Sequence, residues 1–117
     1  RCFEREAQAT VLASLANAAI LNGQHAIISG DINDWSGTVL DRNSNKPISG
    51  VLSILTGSTM VQVSANAAQT SRYTQWYDEN SDCVYSTAET SSLDHILVSK
   101  SLSAAVTSVK FNNDLYT

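Results

Sequence analysis

The chain has 117 residues, of which 43% are hydrophobic and 15% charged, and its formal net charge is -4. This length accommodates one domain and is too short for two ordinary ones, and the hydrophobic share excludes wholesale disorder. With 7 Lys and Arg against 11 Asp and Glu, the surface has no general attraction for nucleic acid or for an anionic membrane. The longest apolar stretch has only the length of a strand, so no membrane span is predicted.

The first predicted element is a helix over residues 4–21. It is followed by Asn22-Gly23, a typical helix stop because glycine tolerates the left-handed conformation. Apolar residues recur in this segment at helical spacing and predict an amphipathic helix. The stripe consists of Phe3, Ala7, Val11, Leu15 and Ala18, widened by Leu12, Ala16 and Ala19.

Short strands and polar loops are predicted for the rest of the chain. Residues 25–29 form an apolar run of strand length that we expect to be buried on both faces. After a polar loop at residues 36–47, Ser49 is a candidate cap for a short helix that ends at Gly57. Further strands are predicted at residues 60–63, 72–77, 93–98 and 107–111, with a long polar loop at 78–92 and a helical turn at 100–105. This mixture indicates an α/β or α+β domain.

The stretch IISGDINDWSG, residues 27–37, places polar side chains at the end of a strand. If the strand continues through Asp31, then Asp31 and Asn33 point the same way while Ile32 turns to the core. A carboxylate that orients or deprotonates water, beside a neutral donor for the developing phosphoryl charge, is what phosphodiester hydrolysis needs. The alternative is a strand-end turn in which the Asx side chains cap the backbone.

A second polar interruption lies in SSLDHILVS, residues 91–99, where Asp94 enters an apolar run. A carboxylate in a buried strand is costly unless it is paired or hydrogen-bonded, so we expect Asp94 to have a partner. A histidine held in one tautomer by this carboxylate would be a useful partner. His95 is adjacent but lies on the opposite face of the strand, so it is poorly placed for that role.

Taken in order, the segments REAQATVLASL, HAIISGDINDWSG, SRYTQWYDENSDC and SSLDHILVSKSL resemble the endonuclease/exonuclease/phosphatase superfamily, which has the deoxyribonuclease-I-like fold. The resemblance covers essentially the whole chain. It implies that the chain is part of a four-layered β-sandwich flanked by helices.

The resemblance also implies roles for individual residues. Asp31 is similar to the aspartate that orients or activates the attacking water, and Asn33 to the asparagine that stabilises the phosphoryl transition state. Asp94 is similar to the aspartate that supports a catalytic histidine. The strand that carries Arg72, Tyr73 and Trp76 is similar to the one near the substrate, although packing explains Trp76 at least as well. Trp35 is the third candidate for substrate binding beside Arg72 and Tyr73, and it either lines the phosphate groove or covers the core.

Other parts of the family pattern are missing from the sequence. The early asparagine and the metal-binding glutamate of the family would precede residue 1, and the closing Ser-Asp-His would follow residue 117. Residues 1–117 are therefore expected to be a partial domain that lacks its N-terminal half and closing strand, and to be inactive alone. The remaining partner would be the rest of the domain or a complementing chain. The resemblance implies Mg²⁺ or Mn²⁺ for catalysis, with ligands mostly outside this chain.

The loop DENSDCVYSTAE, residues 78–89, contains a second possible metal site. Counting Asp78 as position 1, Asn80 is position 3, Asp82 position 5 and Glu89 position 12, the positions of oxygen ligands in a calcium loop. Cys83 occupies position 6, where the sharp turn favours glycine. The alternative is a solvated loop tied down by Cys83, and a bound calcium ion would have a structural role.

The function that these patterns favour is a metal-dependent, nuclease-like phosphoesterase. The alternatives are a non-catalytic binding module and a calcium-stabilised extracellular structural module on the same fold. Nucleic acid, phospholipid head groups and inositol phosphates are all possible substrates, because selectivity resides in loops. The low lysine content and the many Ser, Thr and Asn residues fit a secreted protein, whereas Cys2 and Cys83 leave the compartment open.

Overall fold

The computed structural model describes residues 1–113, in which α-helices and antiparallel strands are mixed, as the sequence predicts. Residues 114–117, the end of the predicted domain, lie outside the described part. The helices are α1 (Cys2–Leu21), α2 (Val51–Thr56) and α3 (Lys100–Ser103). The strands are β1 (Ile27–Asp31), β2 (Met60–Gln62), β3 (Gln75–Trp76), β4 (Thr90–Ser91) and β5 (Asp94–Ser99), and 3-10 turns cover Val63–Asn66, Gln69–Ser71 and Thr87–Glu89.

Strand β5 is the centre of a sheet with the order β1-β5-β2, in which both neighbours run antiparallel to it. In this register Ile28 faces Leu97, and Asp31 faces Asp94. A smaller sheet pairs β3 with β4, with Gln75 opposite Ser91. Side chains alternate between the two faces of a strand, so the register decides which distant residues share a face.

Helices α1 and α2 cover one face of the main sheet and form the core with it. Leu97, at the middle of β5, is completely buried. Two alanines of α1 allow the helix to approach α2 closely, because a methyl side chain adds little width to the contact. The buried cluster consists of Ala9, Ala16, Ile28, Val51, Leu52, Leu55, Met60 and Leu97, and Ile32 packs against it as expected.

The opposite face of the main sheet is largely open among the described residues. Ile27 is 63% exposed and Ile96 is 50% exposed, and both alternate with buried neighbours. The prediction that the first strand is buried on both faces is therefore wrong. The register explains the difference, because only the face that carries Ile28 and Leu97 meets the helices.

Helix α1 begins and ends close to its predicted bounds, but its main apolar stripe does not face the core. Phe3 is 87% exposed, and Val11 and Leu15 are exposed as well, whereas Ala9 and Ala16 are buried. The segment is apolar on several sides, so periodicity alone did not identify the buried one. No helix in the described residues is long and apolar enough to cross a bilayer.

Four further expectations require correction. Gly50, rather than Ser49, is the cap residue of α2, although the Ser49 hydroxyl, which donates to Asp34, also accepts from the Val51 amide at 3.4 Å. The predicted strand at residues 72–77 contains only the two residues of β3, and the loop at 78–92 contains β4. Residues 107–111 form no strand, although their alternation is typical of one.

Candidate functional site

The antiparallel register brings the two sequence motifs together at one end of the main sheet. Asp31 of β1 lies directly opposite Asp94 of β5, and both side chains are exposed. Pairing continues one residue further, where the Ile32 amide donates to the Leu93 carbonyl at 3.0 Å. Directly opposed residues in an antiparallel pair have Cβ atoms about 5 Å apart, so the two carboxylates lie at the same end of the sheet, where each lines a different cavity.

Asn33 follows the end of β1 and belongs to a tight turn. Its φ is 55°, and its amide donates to Asp31 Oδ1 at 2.8 Å, so the strand-end Asx turn considered from the sequence is present. Strand alternation therefore does not extend to Asn33. Asp31 and Asn33 nevertheless line a common cavity of about 250 Å³ together with Arg5, whose guanidinium donates to the Asn33 carbonyl at 2.8 Å.

Asp34, which the sequence analysis gave no role, fixes this turn. It is 1% exposed and accepts hydrogen bonds from the amides of Trp35, Ile48 and Ser49 and from the Ser49 hydroxyl. Arg5 Nη2 lies 3.7 Å from Asp34 Oδ2. Burial raises the pKa of Asp34, but the hydrogen bonds from Ser49, Ile48 and Trp35 outweigh it, so the pKa lies below its usual value.

His95 lies on the face of β5 opposite Asp94, as predicted, and there it is buried and supports the same turn. Its Nε2 donates to the Asp34 carbonyl at 2.8 Å. Burial lowers the pKa of His95, partly opposed by this hydrogen bond and by the charges of Asp94, Asp34 and Asp31. A neutral imidazole therefore packs beneath the carboxylate pair and is a structural support.

Asp94 occupies a different environment from the one predicted. Its side chain lies on the open face of β5 and has no hydrogen-bond or ion-pair partner in residues 1–113, and because it is hydrated it needs none. Its amide donates to Thr74 Oγ1 at 3.2 Å. Asp94 lines a cavity of about 400 Å³ that also includes Ser29, Thr74 and Lys110. This cavity lies along the open face of the sheet.

Two of the three residues predicted to bind substrate are engaged inside the protein. The Arg72 guanidinium donates to the carbonyls of Leu40, Ser64, Ala65 and Ala67, so it ties loops together. Tyr73 is 3% exposed, and its ring contacts the Arg42 guanidinium at 5.4 Å. In this arrangement neither side chain is presented to a ligand.

Trp35 differs from Arg72 and Tyr73. It is half-buried, and it lines a cavity next to the small sheet. Its Nε1 is buried and has no hydrogen-bond partner among the described residues. Of the predicted substrate-binding residues, Trp35 alone combines a position in a cavity with an unused polar atom.

The predicted calcium ligands lie in a compact loop whose oxygens are used internally. Asp78 accepts from the amides of Asp82 and Cys83, and Asn80 Nδ2 donates to Asp82 Oδ2 at 3.0 Å. Glu89 Oε2 instead accepts from Trp76 Nε1 at 2.9 Å. Calcium binding in the predicted geometry would require Glu89 to leave Trp76, and the calcium site stays a prediction.

Catalytic metal ligands are also incomplete in this part of the chain. Residues 1–113 contain no group of three or more His, Cys, Asp or Glu side chains arranged to hold a metal ion. Asp31 and Asp94 therefore do not form a magnesium or manganese site by themselves.

A further buried carboxylate, Asp41, was also not identified from the sequence. It is 3% exposed and accepts from the amides of Asn43, Asn45 and Ser92 and from the Asn45 side chain. It joins the polar loop at residues 36–47 to the segment before β5. The Asx-rich composition indicates a loop, but nothing in it indicates a partner 51 residues away.

Comparison with known proteins finds no match: no family model, curated protein or solved structure is significantly similar to the chain. The resemblance to the endonuclease/exonuclease/phosphatase superfamily therefore stays a prediction.

Proposed function

We propose that this chain contributes part of the active site of a divalent-metal-dependent phosphoesterase, with nuclease-like hydrolysis of a phosphodiester by an activated water. The observation that carries the proposal is the register that places Asp31 opposite Asp94. Two motifs 63 residues apart in the sequence thereby share one exposed sheet end. The finer fold assignment, part of a deoxyribonuclease-I-like sandwich, belongs to the same proposal.

The roles proposed for the chain follow from the surroundings of each side chain. Asp31 is exposed and keeps Oδ2 available to orient and deprotonate water, because only Oδ1 accepts the Asn33 amide. The side-chain amide of Asn33, whose backbone N–H is already used by Asp31, supplies an N–H donor to a phosphoryl oxygen. Asp94, hydrated and unpaired in residues 1–113, is placed to hold a histidine supplied by another segment or chain.

The open face of the main sheet supports the proposal that another part of the domain, or another chain, completes the active site. Ile27 and Ile96 are exposed on the face that carries the carboxylate pair. Exposed apolar residues beside polar ones are typical of a surface that packs against another element. The remaining domain, or a complementing chain, would cover this face and bring the missing histidine and metal ligands.

The test is hydrolysis of bis(p-nitrophenyl) phosphate and of a short oligonucleotide by the full-length protein with Mg²⁺ or Mn²⁺. Asp31→Asn keeps the Oδ1 acceptor for the Asn33 amide but removes the base, so kcat should fall about a hundredfold or more with the fold intact. Glu4→Gln, an exposed change on α1, is the matched control.

Full activity of Asp31→Asn would remove this carboxylate from the mechanism. Absence of hydrolysis by the full-length wild-type protein on both substrates would instead favour a non-catalytic binding module on the same fold.

A further inference from the structure

A separate cavity of about 280 Å³ lies at the small sheet of β3 and β4. Leu93, which directly precedes Asp94, forms part of its wall. The cavity is therefore adjacent to the proposed phosphate-cleaving end of the main sheet. Its chemically distinctive wall residues are Trp35, Gln75, Tyr77, Glu79 and Glu89.

The aromatic residues of this cavity offer both ring surface and an unused donor. Tyr77 is 66% exposed, and Trp35 is half-buried. The buried Trp35 Nε1–H has no partner within residues 1–113, although an unsatisfied buried donor is energetically costly. Since buried polar groups are nearly always hydrogen-bonded, this donor is available to an acceptor atom that residues 1–113 do not supply.

The polar residues of the cavity are mainly acceptors. The Glu79 carboxylate makes no hydrogen bond or ion pair with the described residues. Glu89 uses Oε2 for Trp76 and Gln75 uses Nε2 for Ser91, so each has one further oxygen available. Two carboxylates repel a phosphate group, so they favour a ligand portion that carries no negative charge and donates N–H groups.

We propose that this cavity binds a nucleobase that carries an amino group on its pairing edge, next to the phosphodiester to be cleaved. An aromatic pair supplies stacking surface, as in proteins that bind single-stranded nucleic acids. Glutamate accepts from an exocyclic amino group, and the Trp35 N–H donates to a ring nitrogen or carbonyl. The choice of a nucleic acid over other phosphodiesters rests on the proposed function.

The residues that line the cavity also predict which nucleobase binds more tightly. Cytosine presents an amino group where uracil presents a carbonyl oxygen, and a carbonyl oxygen facing Glu79 or Glu89 is repelled. The cavity should therefore prefer cytidine to uridine, two nucleosides of nearly equal size. The net charge of -4 is compatible with recognition of a base, because such recognition does not require the basic surface that contacts to many phosphates need.

The experiment titrates the full-length protein with cytidine and with uridine and follows the indole N–H signals of Trp35 and Trp76 by NMR. Trp35→Phe assigns the Trp35 signal. We expect this signal to shift on cytidine addition, with affinity about tenfold higher than for uridine. Tyr77→Ala should weaken binding of both nucleosides, and Glu79→Gln should reduce the preference for cytidine. Glu4→Gln should leave both affinities unchanged.

Equal affinity for the two nucleosides, or no shift of the Trp35 signal at saturating nucleoside, would overturn the base-binding cavity. Asp31→Asn separates this inference from the proposed function, because it removes hydrolysis and should retain nucleoside binding. Hydrolysis without a base preference overturns the cavity alone. A base preference without hydrolysis supports the cavity and overturns the enzymatic proposal.

Discussion

Asp34 holds the turn that presents the candidate catalytic residues. Its carboxylate accepts from three backbone amides and a hydroxyl, and its own carbonyl accepts from His95. A buried carboxylate with this number of donors remains charged without a full ion pair. Asp31 and Asn33 are exposed, so the conformation of the turn depends on its buried neighbour.

Replacement of Asp34 by asparagine should therefore destabilise the protein more than loss of an exposed carboxylate. Asp34→Asn puts an NH₂ group where an oxygen now accepts, which should lower the free energy of unfolding by about 2–3 kcal/mol. Urea denaturation measures this change, with Glu4→Gln as the exposed control. Equal stability of the two variants would show that the turn does not depend on Asp34.

His95 should make stability depend on pH. Because the pKa of His95 is lowered by folding, the unfolded chain binds a proton first as pH falls below about 6.5. Its contribution is fully present above that pH and is lost as pH falls through the lower folded pKa. His95→Gln should flatten the decline in unfolding free energy between pH 7 and pH 5. His25→Gln, which removes an exposed histidine, should keep the wild-type decline; identical profiles for the two variants would contradict this assignment.

At the scale of single residues, sequence patterns identified the exposed carboxylates but not their supports. Asp31 and Asp94 stand out because they interrupt apolar runs. Asp34 and Asp41 look like ordinary loop residues, since their partners lie 14 and 51 residues away and a local pattern does not contain that information.

Among the elements, the backbone conformation of β1 requires glycine at position 30, directly before Asp31. Gly30 has φ +146°, a conformation that L side chains rarely adopt, while nothing lies within 4 Å of an added Cβ. Gly30→Ala should therefore cost about 1–3 kcal/mol through backbone strain alone. The matched control is Gly37→Ala, whose backbone is not in this region and whose added Cβ would make an ordinary 3.4 Å contact with Pro47. Thermal unfolding of both variants distinguishes strain from steric overlap, and equal midpoints would exclude strain at Gly30.

The longer elements were predictable and the shortest were not. Helix α1 and strand β5 have enough periodic residues to be recognised, and their positions are close to those predicted. Strand β3 has two residues and residues 107–111 form none, because strand formation depends on a pairing partner more than on local propensity. The buried face of α1 was predicted wrongly for a related reason. The alanine face, and not the face with the larger apolar side chains, packs against α2, and local periodicity does not contain that information.

Over the whole described molecule, apolar residues divide into a buried set and an exposed set of similar chemical type. Leu97 is fully buried at the centre of the main sheet, whereas Leu15 is 63% exposed on α1. Leu97→Ala should cost about 2–5 kcal/mol, and Leu15→Ala should change stability by less than about 1 kcal/mol. Denaturant unfolding of the full-length protein measures both. A large loss for Leu15→Ala would show that the α1 stripe is covered in the assembled protein.

Strand β1 lies at an edge of the main sheet, so in the described residues its outer backbone groups have no neighbouring strand. Such an edge is a template on which strands of other chains can add. Here the template is five residues long, contains Gly30 with φ +146° and ends in the charge of Asp31. Each of these features discourages strand addition. The carboxylate proposed for catalysis thus has a second effect, since it helps to keep the protein from aggregating through this edge.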